Sequence, residues 1–107
     1  MKHITIAISL LLSGCLSFDA AGERWDAWVD EHNSCEIADD CVVVYTSCPL
    51  GCWTTVNASF EDEAHEVADD LVRRVEAGGA NCAYDCAQNG APTCEAGTCQ
   101  VDALPFE

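Results

Sequence analysis

Nine cysteines in a chain of 107 residues constrain the fold more than any other feature of the sequence. A chain of this size buries only a modest apolar core, so covalent cross-links are expected to add to its stability. An odd number cannot be paired completely, and Cys15 is set apart by its position near the N-terminus. The other eight permit four bridges: Cys35, Cys41, Cys48, Cys52, Cys82, Cys86, Cys94 and Cys99.

The first 14 residues have the pattern of an export signal. Lys2 supplies a positive charge, and residues 4–12 are apolar apart from two hydroxyl side chains. A membrane-spanning helix needs about 20 apolar residues, so this run is too short to span and fits the apolar region of a signal peptide. The small residues Ser13 and Gly14 then lead directly to Cys15, as a peptidase pocket requires.

The sequence Leu12-Ser13-Gly14-Cys15 closely resembles the lipobox of bacterial lipoproteins. In that family a peptidase cuts before the cysteine, whose sulfur carries a diacylglycerol, and an N-acyl chain completes a stable anchor. The resemblance implies a signal peptide over 1–14, a lipidated Cys15 with a short tether over 15–19, and export to the bacterial envelope. Leu16, in place of an aspartate, favours the outer over the inner membrane. The alternatives are an ordinary secretory signal that happens to contain a cysteine, or a cytosolic helix.

The chain is strongly acidic, with a formal net charge of −15. Removal of residues 1–14 would delete the only lysine and leave three arginines against 19 acidic side chains. Such a surface repels the phosphates of nucleic acids, so no nucleic-acid partner is expected. It is suited to cations or basic partners, or it serves simply as a solvated surface.

Periodicity and turn residues predict an α+β fold in which two helices pack on a short antiparallel sheet. The disulfide-rich domain is expected over 20–101, with a frayed tail over 102–107. The expected elements are a helix over 20–32 capped by Asp19, strands over 42–46 and 53–56, a helix over 60–77 opened by Ser59 and ended by Gly78-Gly79, a short strand over 82–87, and a hairpin over 94–101 that turns at Ala96-Gly97.

The cysteine spacing suggests how the bridges run. In a strand, Cys82 and Cys86 would be about 13 Å apart on one face, too far for a mutual bridge. They could instead face Cys48 and Cys52 in a nested arrangement, Cys48–Cys86 and Cys52–Cys82. By similar reasoning, two upstream cysteines would pair with two downstream ones: Cys35 and Cys41 with Cys94 and Cys99.

The cysteine pattern after Cys15 also resembles that of small, uncharacterised cysteine-rich proteins exported by bacteria. Four shared motifs carry the resemblance: Asp40-Cys41 before a valine-rich strand, the Cys-Pro-x-Gly-Cys turn at 48–52, Val56-Asn57 before a helix, and the final Cys-Glu-x-Gly-x-Cys at 94–99. The resemblance covers about 35–101. It implies kinship of fold and carries no known activity.

Metal and redox chemistry are the rival uses of these cysteines. Two C-x3-C pairs could offer four thiolates to zinc, but structural zinc sites usually belong to reducing compartments. A thiol oxidoreductase usually needs a C-x-x-C pair, which the sequence lacks. Glu61, His65 and Asp69 could share one helical face, yet a solvated histidine is the simpler interpretation. No calcium-loop spacing is present either, so no metal or other cofactor is expected.

No catalytic nucleophile and base can be identified, so we expect a protein that is not an enzyme. His32 is expected to border the core or cap the first helix. The favoured function is a non-catalytic, lipid-anchored envelope or surface protein that binds an unidentified partner. The alternative is a protease inhibitor that presents Pro49, Leu50 and Gly51 on the loop between Cys48 and Cys52, with Leu50 as its specificity residue.

Overall fold

The computed structural model describes residues 15–79, 82 and 85–104. The α+β class is confirmed, with two separate two-stranded antiparallel sheets instead of one. The predicted signal peptide over 1–14 lies outside the described residues. In chain order the elements are α1 (Phe18–Asp30), β1 (Cys41–Tyr45), β2 (Trp53–Asn57), α2 (Glu61–Ala77), β3 (Thr93–Glu95) and β4 (Thr98–Gln100), and 3-10 turns at Ala38–Asp40 and Ala58–Phe60 precede β1 and α2.

Helix α1 begins two residues earlier than the sequence predicted. Its N-cap is Ser17, whose Oγ accepts a hydrogen bond from the Ala20 N–H at 3.1 Å. The cap assigned to Asp19 was therefore wrong, because this side chain lies within the first turn, where its charge suits the helix dipole. One face of the helix is buried, at Ala21, Trp25 and Val29.

Strands β1 and β2 form the predicted hairpin, in a register that pairs Cys41 with Asn57 and Tyr45 with Trp53. Val44 and Val56 are completely buried. Their β-branched side chains fill the space between the hairpin and the helices, as β-branched residues favour a pleated, half-buried surface. The strands differ from the predicted ranges by only one residue.

Helix α2 begins at Glu61, after the 3-10 turn that follows β2. Ser59 does not cap it, because the Ser59 N–H and hydroxyl both donate to Asn57 Oδ1. Its apolar face is buried as predicted, and the helix ends at Gly78-Gly79, where Gly79 has a φ of +84°. A positive φ strains residues with a side chain, which explains a glycine at this position. The buried residues are Ala64, Ala68, Leu71 and Val75.

In the described part of the chain, the apolar core comes from residues before Gly78. Its members run from Leu16 to Val75 and are contributed by both helices, the first hairpin and Leu50. Among the described residues after Gly79, Cys99 is the only one that is buried. The segment from Cys82 onward therefore gains little stability from apolar burial and needs another attachment.

Four disulfides supply that attachment, and each joins the segment 35–52 to the segment 82–99. Two of them, Cys35–Cys94 and Cys41–Cys99, agree with the predicted sets. The nested arrangement predicted for the others was wrong, because the bridges are Cys48–Cys82 and Cys52–Cys86.

The position of the α2 C-terminus explains the actual pairing. Ser47 lines a groove with Arg73 and Glu76, so Cys48 lies near the end of α2 and bonds to Cys82, the first cysteine after this helix. The chain then passes Cys52, and the Ala87 carbonyl accepts a hydrogen bond from Trp53 Nε1 at 3.1 Å. The nested arrangement assumed an antiparallel strand over 82–87. Its described residues, 82 and 85–87, are not in a strand, and the rest lie outside the described residues.

The C-terminal hairpin β3–β4 turns at Ala96-Gly97 as predicted, and both of these residues have a positive φ. The residues that follow it are more ordered than expected. The Gly90 N–H donates to the Asp102 carbonyl, and the Leu104 N–H donates to the Gln88 carbonyl, each at 2.8 Å. The expectation of a frayed tail was therefore wrong for 102–104, and 105–107 lie outside the described residues.

Peptide mapping can check the bridge pairing directly. Digestion of the denatured, unreduced chain after Leu50 and Tyr84 separates the two cysteines of each C-x3-C pair. Mass spectrometry should then find the Cys48 peptide joined to the Cys82 peptide, and a Cys48–Cys86 product would contradict the structure.

Replacing Cys48 and Cys82 together by serine should lower the free energy of unfolding by about 3–4 kcal/mol, since a long loop is released.

Candidate functional site

Cys15 is the first described residue, and its thiol is exposed and free. The other eight cysteines of the chain are all in disulfides. Cys15 lies beside the end of α2, where its Cβ is 3.9 Å from the position that a β-carbon on Gly78 would occupy. The structure thus leaves one thiol available for modification, next to the end of α2.

The residues directly after Cys15 are part of the domain. Leu16 is buried in the core, and its N–H donates to the Arg74 carbonyl at 3.5 Å. Ser17 caps α1, which begins at Phe18. The tether expected over 15–19 is therefore not observed, because the apolar Leu16 side chain gains more from burial than from exposure in a linker. No flexible linker separates Cys15 from the part of the core that begins at Leu16.

Two arginines share one carboxylate at the end of α2. Arg74 Nε lies 3.1 Å from Asp70 Oδ2, and an Arg73 guanidinium nitrogen lies 3.3 Å from Asp70 Oδ1. The first three residues of the same helix, by contrast, are all acidic. These ion pairs are solvent-exposed and contribute little to stability. The acidic first turn and the two arginines near the last turn give the two ends of α2 different charges.

The loop between Cys48 and Cys52 is closed on itself. The Thr46 N–H donates to the Cys52 carbonyl, the Leu50 N–H to the Ser47 carbonyl at 2.8 Å, and Thr46 Oγ1 to the Gly51 carbonyl at 2.7 Å. The Cys48–Pro49 peptide bond is cis, and Gly51 has a φ of +112°. This backbone path turns the central side chain inward.

Leu50 is only 8 % exposed and belongs to the core. The expectation that it projects outward as a specificity residue was therefore wrong, since its side chain packs with those of the helices and the hairpin. Pro49 is the loop residue that meets a surface groove, together with Phe18, Gly22 and three acidic residues of α1. The predicted binding loop is thus a structural turn. It lies beside the N-terminus of α1.

His32 lies at the opposite end of the helices, in an aromatic stack. Its ring is parallel to that of Trp28 at 4.0 Å and edge-on to that of Phe60 at 4.6 Å. Nδ1 donates a hydrogen bond of 2.6 Å to the Trp28 carbonyl, and Nε2 lies 3.8 Å from Glu63 Oε2. These contacts join the end of α1 to the start of α2, in agreement with a histidine at the border of the core.

The sequence allows Glu61, His65 and Asp69 to form a metal-ligand cluster, but the structure does not bring these three side chains together. Within the part of the chain that the structure describes, the three sulfurs of Cys35, Cys41 and Cys99 are the only grouping of possible ligands that converges within 4.8 Å. All three sulfurs are already in disulfides and have no thiolate to offer.

Asp40 organises the turn before β1. Its Oδ2 accepts hydrogen bonds from the backbone N–H groups of Glu36 at 2.9 Å and Ile37 at 3.2 Å. These bonds favour the ionised carboxylate and hold the pKa of Asp40 below its ordinary value of 3.8. The carboxylate thereby fixes the backbone between Cys35 and Cys41, whose bridges attach the C-terminal hairpin.

Replacing Asp40 should therefore have a pH-dependent effect. Because the folded state lowers the pKa of Asp40, its contribution is fully present above pH 3.8 and is lost as the pH falls through the folded value. An Asp40→Ala variant should have a lower urea midpoint than the parent chain at pH 7, and this difference should shrink towards pH 2. Asp39→Ala, which leaves both hydrogen bonds intact, is the matched control. A difference that does not change with pH would contradict the assignment.

The burial of Leu50 also has a measurable consequence. Leu50→Ala should lower the free energy of unfolding by about 2–4 kcal/mol, because it leaves a cavity in the core. Ile37→Ala is the control, since Ile37 is 59 % exposed and its truncation should change stability by less than about 0.5 kcal/mol. Equal effects in urea denaturation would mean that Leu50 is not a core residue.

Comparison of the chain with protein families, curated proteins and solved structures gives no match. Among residues 15–79, 82 and 85–104, no helix has the length and apolar character needed to cross a membrane.

Proposed function

We propose that the chain is an exported bacterial lipoprotein, acylated on Cys15 and held at the cell envelope. Its domain would act there as a non-catalytic binding or interaction module. The observation that carries the proposal is Cys15 itself, a free and exposed thiol directly before the buried Leu16. It directly follows a sequence, Leu12-Ser13-Gly14, that resembles a lipobox.

The pairing of the other cysteines supports this assignment. Eight cysteines form four disulfides, so the odd cysteine needs a different role. A free exposed thiol is readily oxidised in a compartment where disulfides persist. Conversion of the Cys15 thiol to a thioether would remove that reactivity. The same chemistry thus explains both the parity of the cysteines and the fate of the unpaired one.

Cleavage before Cys15 is compatible with the described part of the fold. Within residues 15–79, 82 and 85–104, the core and the disulfides lie between Leu16 and Cys99. A peptidase that removed residues 1–14 would therefore leave the described domain complete. A cut farther along the chain would remove Leu16 from the core and Ser17 from the cap of α1.

The envelope role follows from the anchor, and the binding role from the surface. A thioether-linked diacylglycerol with an N-acyl chain would hold the domain stably at a membrane. Leu16 after the acylated cysteine favours the outer membrane. The acidic surface is unsuited to nucleic acid and suited to a basic or cation-bearing protein partner. The protease-inhibitor alternative loses its main support, since Leu50 is buried.

Expression of the full chain in a Gram-negative host tests the anchor. Metabolic labelling with an alkyne fatty acid should tag the protein, and mass spectrometry should find an N-terminus that begins at acylated Cys15. Cys15→Ser should abolish both labelling and membrane association, because serine provides no thiol for the diacylglycerol.

Two neighbouring substitutions form a matched control. Ser13→Ala keeps a small residue before the cut and should still be processed, whereas Gly14→Leu should block cleavage. An unmodified Cys15, or a mature protein that retains Met1, would overturn the proposal.

A further inference from the structure

We propose that the domain stands on the membrane in one fixed orientation, on the end where Cys15 lies. We call this the anchor end: residues 15–19, the loop 48–50 and the end of α2 over 73–79. The opposite, far end contains the end of α1, the start of α2 and the β3–β4 hairpin. This inference rests on the proposed acylation of Cys15, and it adds which surface meets the lipid and which surface a partner can reach.

The absence of a linker is the first argument. A five-residue extended tether would allow the domain to move about 17 Å from its lipid. Here Leu16 is 9 % exposed, its N–H bonds to the Arg74 carbonyl, and Ser17 caps α1. The backbone is therefore fixed from the first residue after the acylated cysteine. A lipid on Cys15 would draw the anchor end itself to the headgroups.

The second argument is that the fold has two well-separated ends. Helix α2 has 17 residues, which corresponds to about 25 Å of length. His32, just beyond α1, lies beside Glu63 at the start of α2, so the helices are antiparallel. The Cys99 N–H donates to the Asn33 carbonyl at 2.8 Å, which places the C-terminal hairpin at the same far end.

Charge is distributed so that it supports this orientation. Helix α2 begins with three acidic residues at the far end and carries Arg73 and Arg74 at the anchor end. Asp70, Glu76 and Asp19 keep the anchor end from being basic. The far end, however, adds Glu36, Asp39 and Asp40 from the first 3-10 turn and its approach. An anionic lipid surface repels acidic groups, so the far end is driven away from it.

The anchor end also presents one aromatic side chain suited to the interface. Phe18, the first residue of α1, is 38 % exposed, and it lines a groove with Pro49 and three acidic residues of α1. Aromatic side chains are stable at the level of lipid headgroups. The Cys48–Cys52 loop is then close to the bilayer and unavailable to a large protein. A protein partner would instead meet the far end or the sides of the domain.

Tryptophan reporters can measure the orientation. The chain from Cys15 onward, which contains the whole described fold, is coupled through its only free thiol to maleimide-bearing phosphatidylethanolamine. The vesicles contain phosphatidylcholine and phosphatidylglycerol with brominated acyl chains. Phe18→Trp places a reporter at the anchor end and Ile37→Trp at the far end, and both native side chains are exposed. The tryptophan fluorescence of the unsubstituted chain is measured in the same vesicles and subtracted.

The added fluorescence of Phe18→Trp should be quenched severalfold more than that of Ile37→Trp. A six-residue Gly-Ser insertion between Cys15 and Leu16 should reduce this difference, because the domain is then free to turn. Circular dichroism and a thiol count show that each variant is folded with four bridges. Equal or reversed quenching, quenching of neither reporter, or no effect of the insertion would overturn the proposal. Chemical coupling to the lipid does not require acylation in cells, so this experiment tests the orientation alone. A failure of the proposed acylation would be detected in the fatty-acid labelling experiment.

Discussion

The four disulfides are the constraint on which the shape of this domain depends. The apolar core of the described residues ends at Val75, and from Cys82 onward Cys99 is the only described residue that is buried. All four bridges cross from the middle of the chain to this last segment. The bridges therefore do not merely reinforce a fold that apolar burial already defines. They determine where a quarter of the chain lies, because the local hydrogen bonds of a two-stranded hairpin are marginal by themselves.

The elements that form the core could be predicted from the sequence, because their side chains repeat with the period of a helix or a strand. Helix α2 shows this best, since its four buried residues are spaced three or four positions apart along one face. The C-terminal hairpin was equally predictable, as Ala96-Gly97 provides the positive φ of its turn. The prediction that was wrong concerned how two distant segments of the chain lie relative to each other. The direction in which 82–86 passes the Cys48–Cys52 loop depends on where α2 ends, which local patterns do not encode.

The candidate site was predictable in part, for a similar reason. The thiol of Cys15 could be singled out by parity and position, but the packing around it could not. Ser17 is a good N-cap residue close to the helix that it caps, yet Asp19 offered the same chemistry two residues later. Leu50 stands between a proline and a glycine, which is typical of an exposed turn. Its burial depends on the inward course of a loop closed by Thr46, and that course is a tertiary property.

The order of the bridges along the chain has a consequence for how the protein matures. Cysteines that enter an oxidising compartment one after another meet their nearest neighbour in sequence first, which would join Cys35 to Cys41 and Cys48 to Cys52. None of the native bridges is of this consecutive kind, and their partners are separated by 34 to 59 residues. Cys41 cannot reach its native partner until the chain has been made as far as Cys99. Any consecutive bridge formed before then has to be exchanged for the native one, so a disulfide isomerase should speed the oxidative folding of the reduced chain.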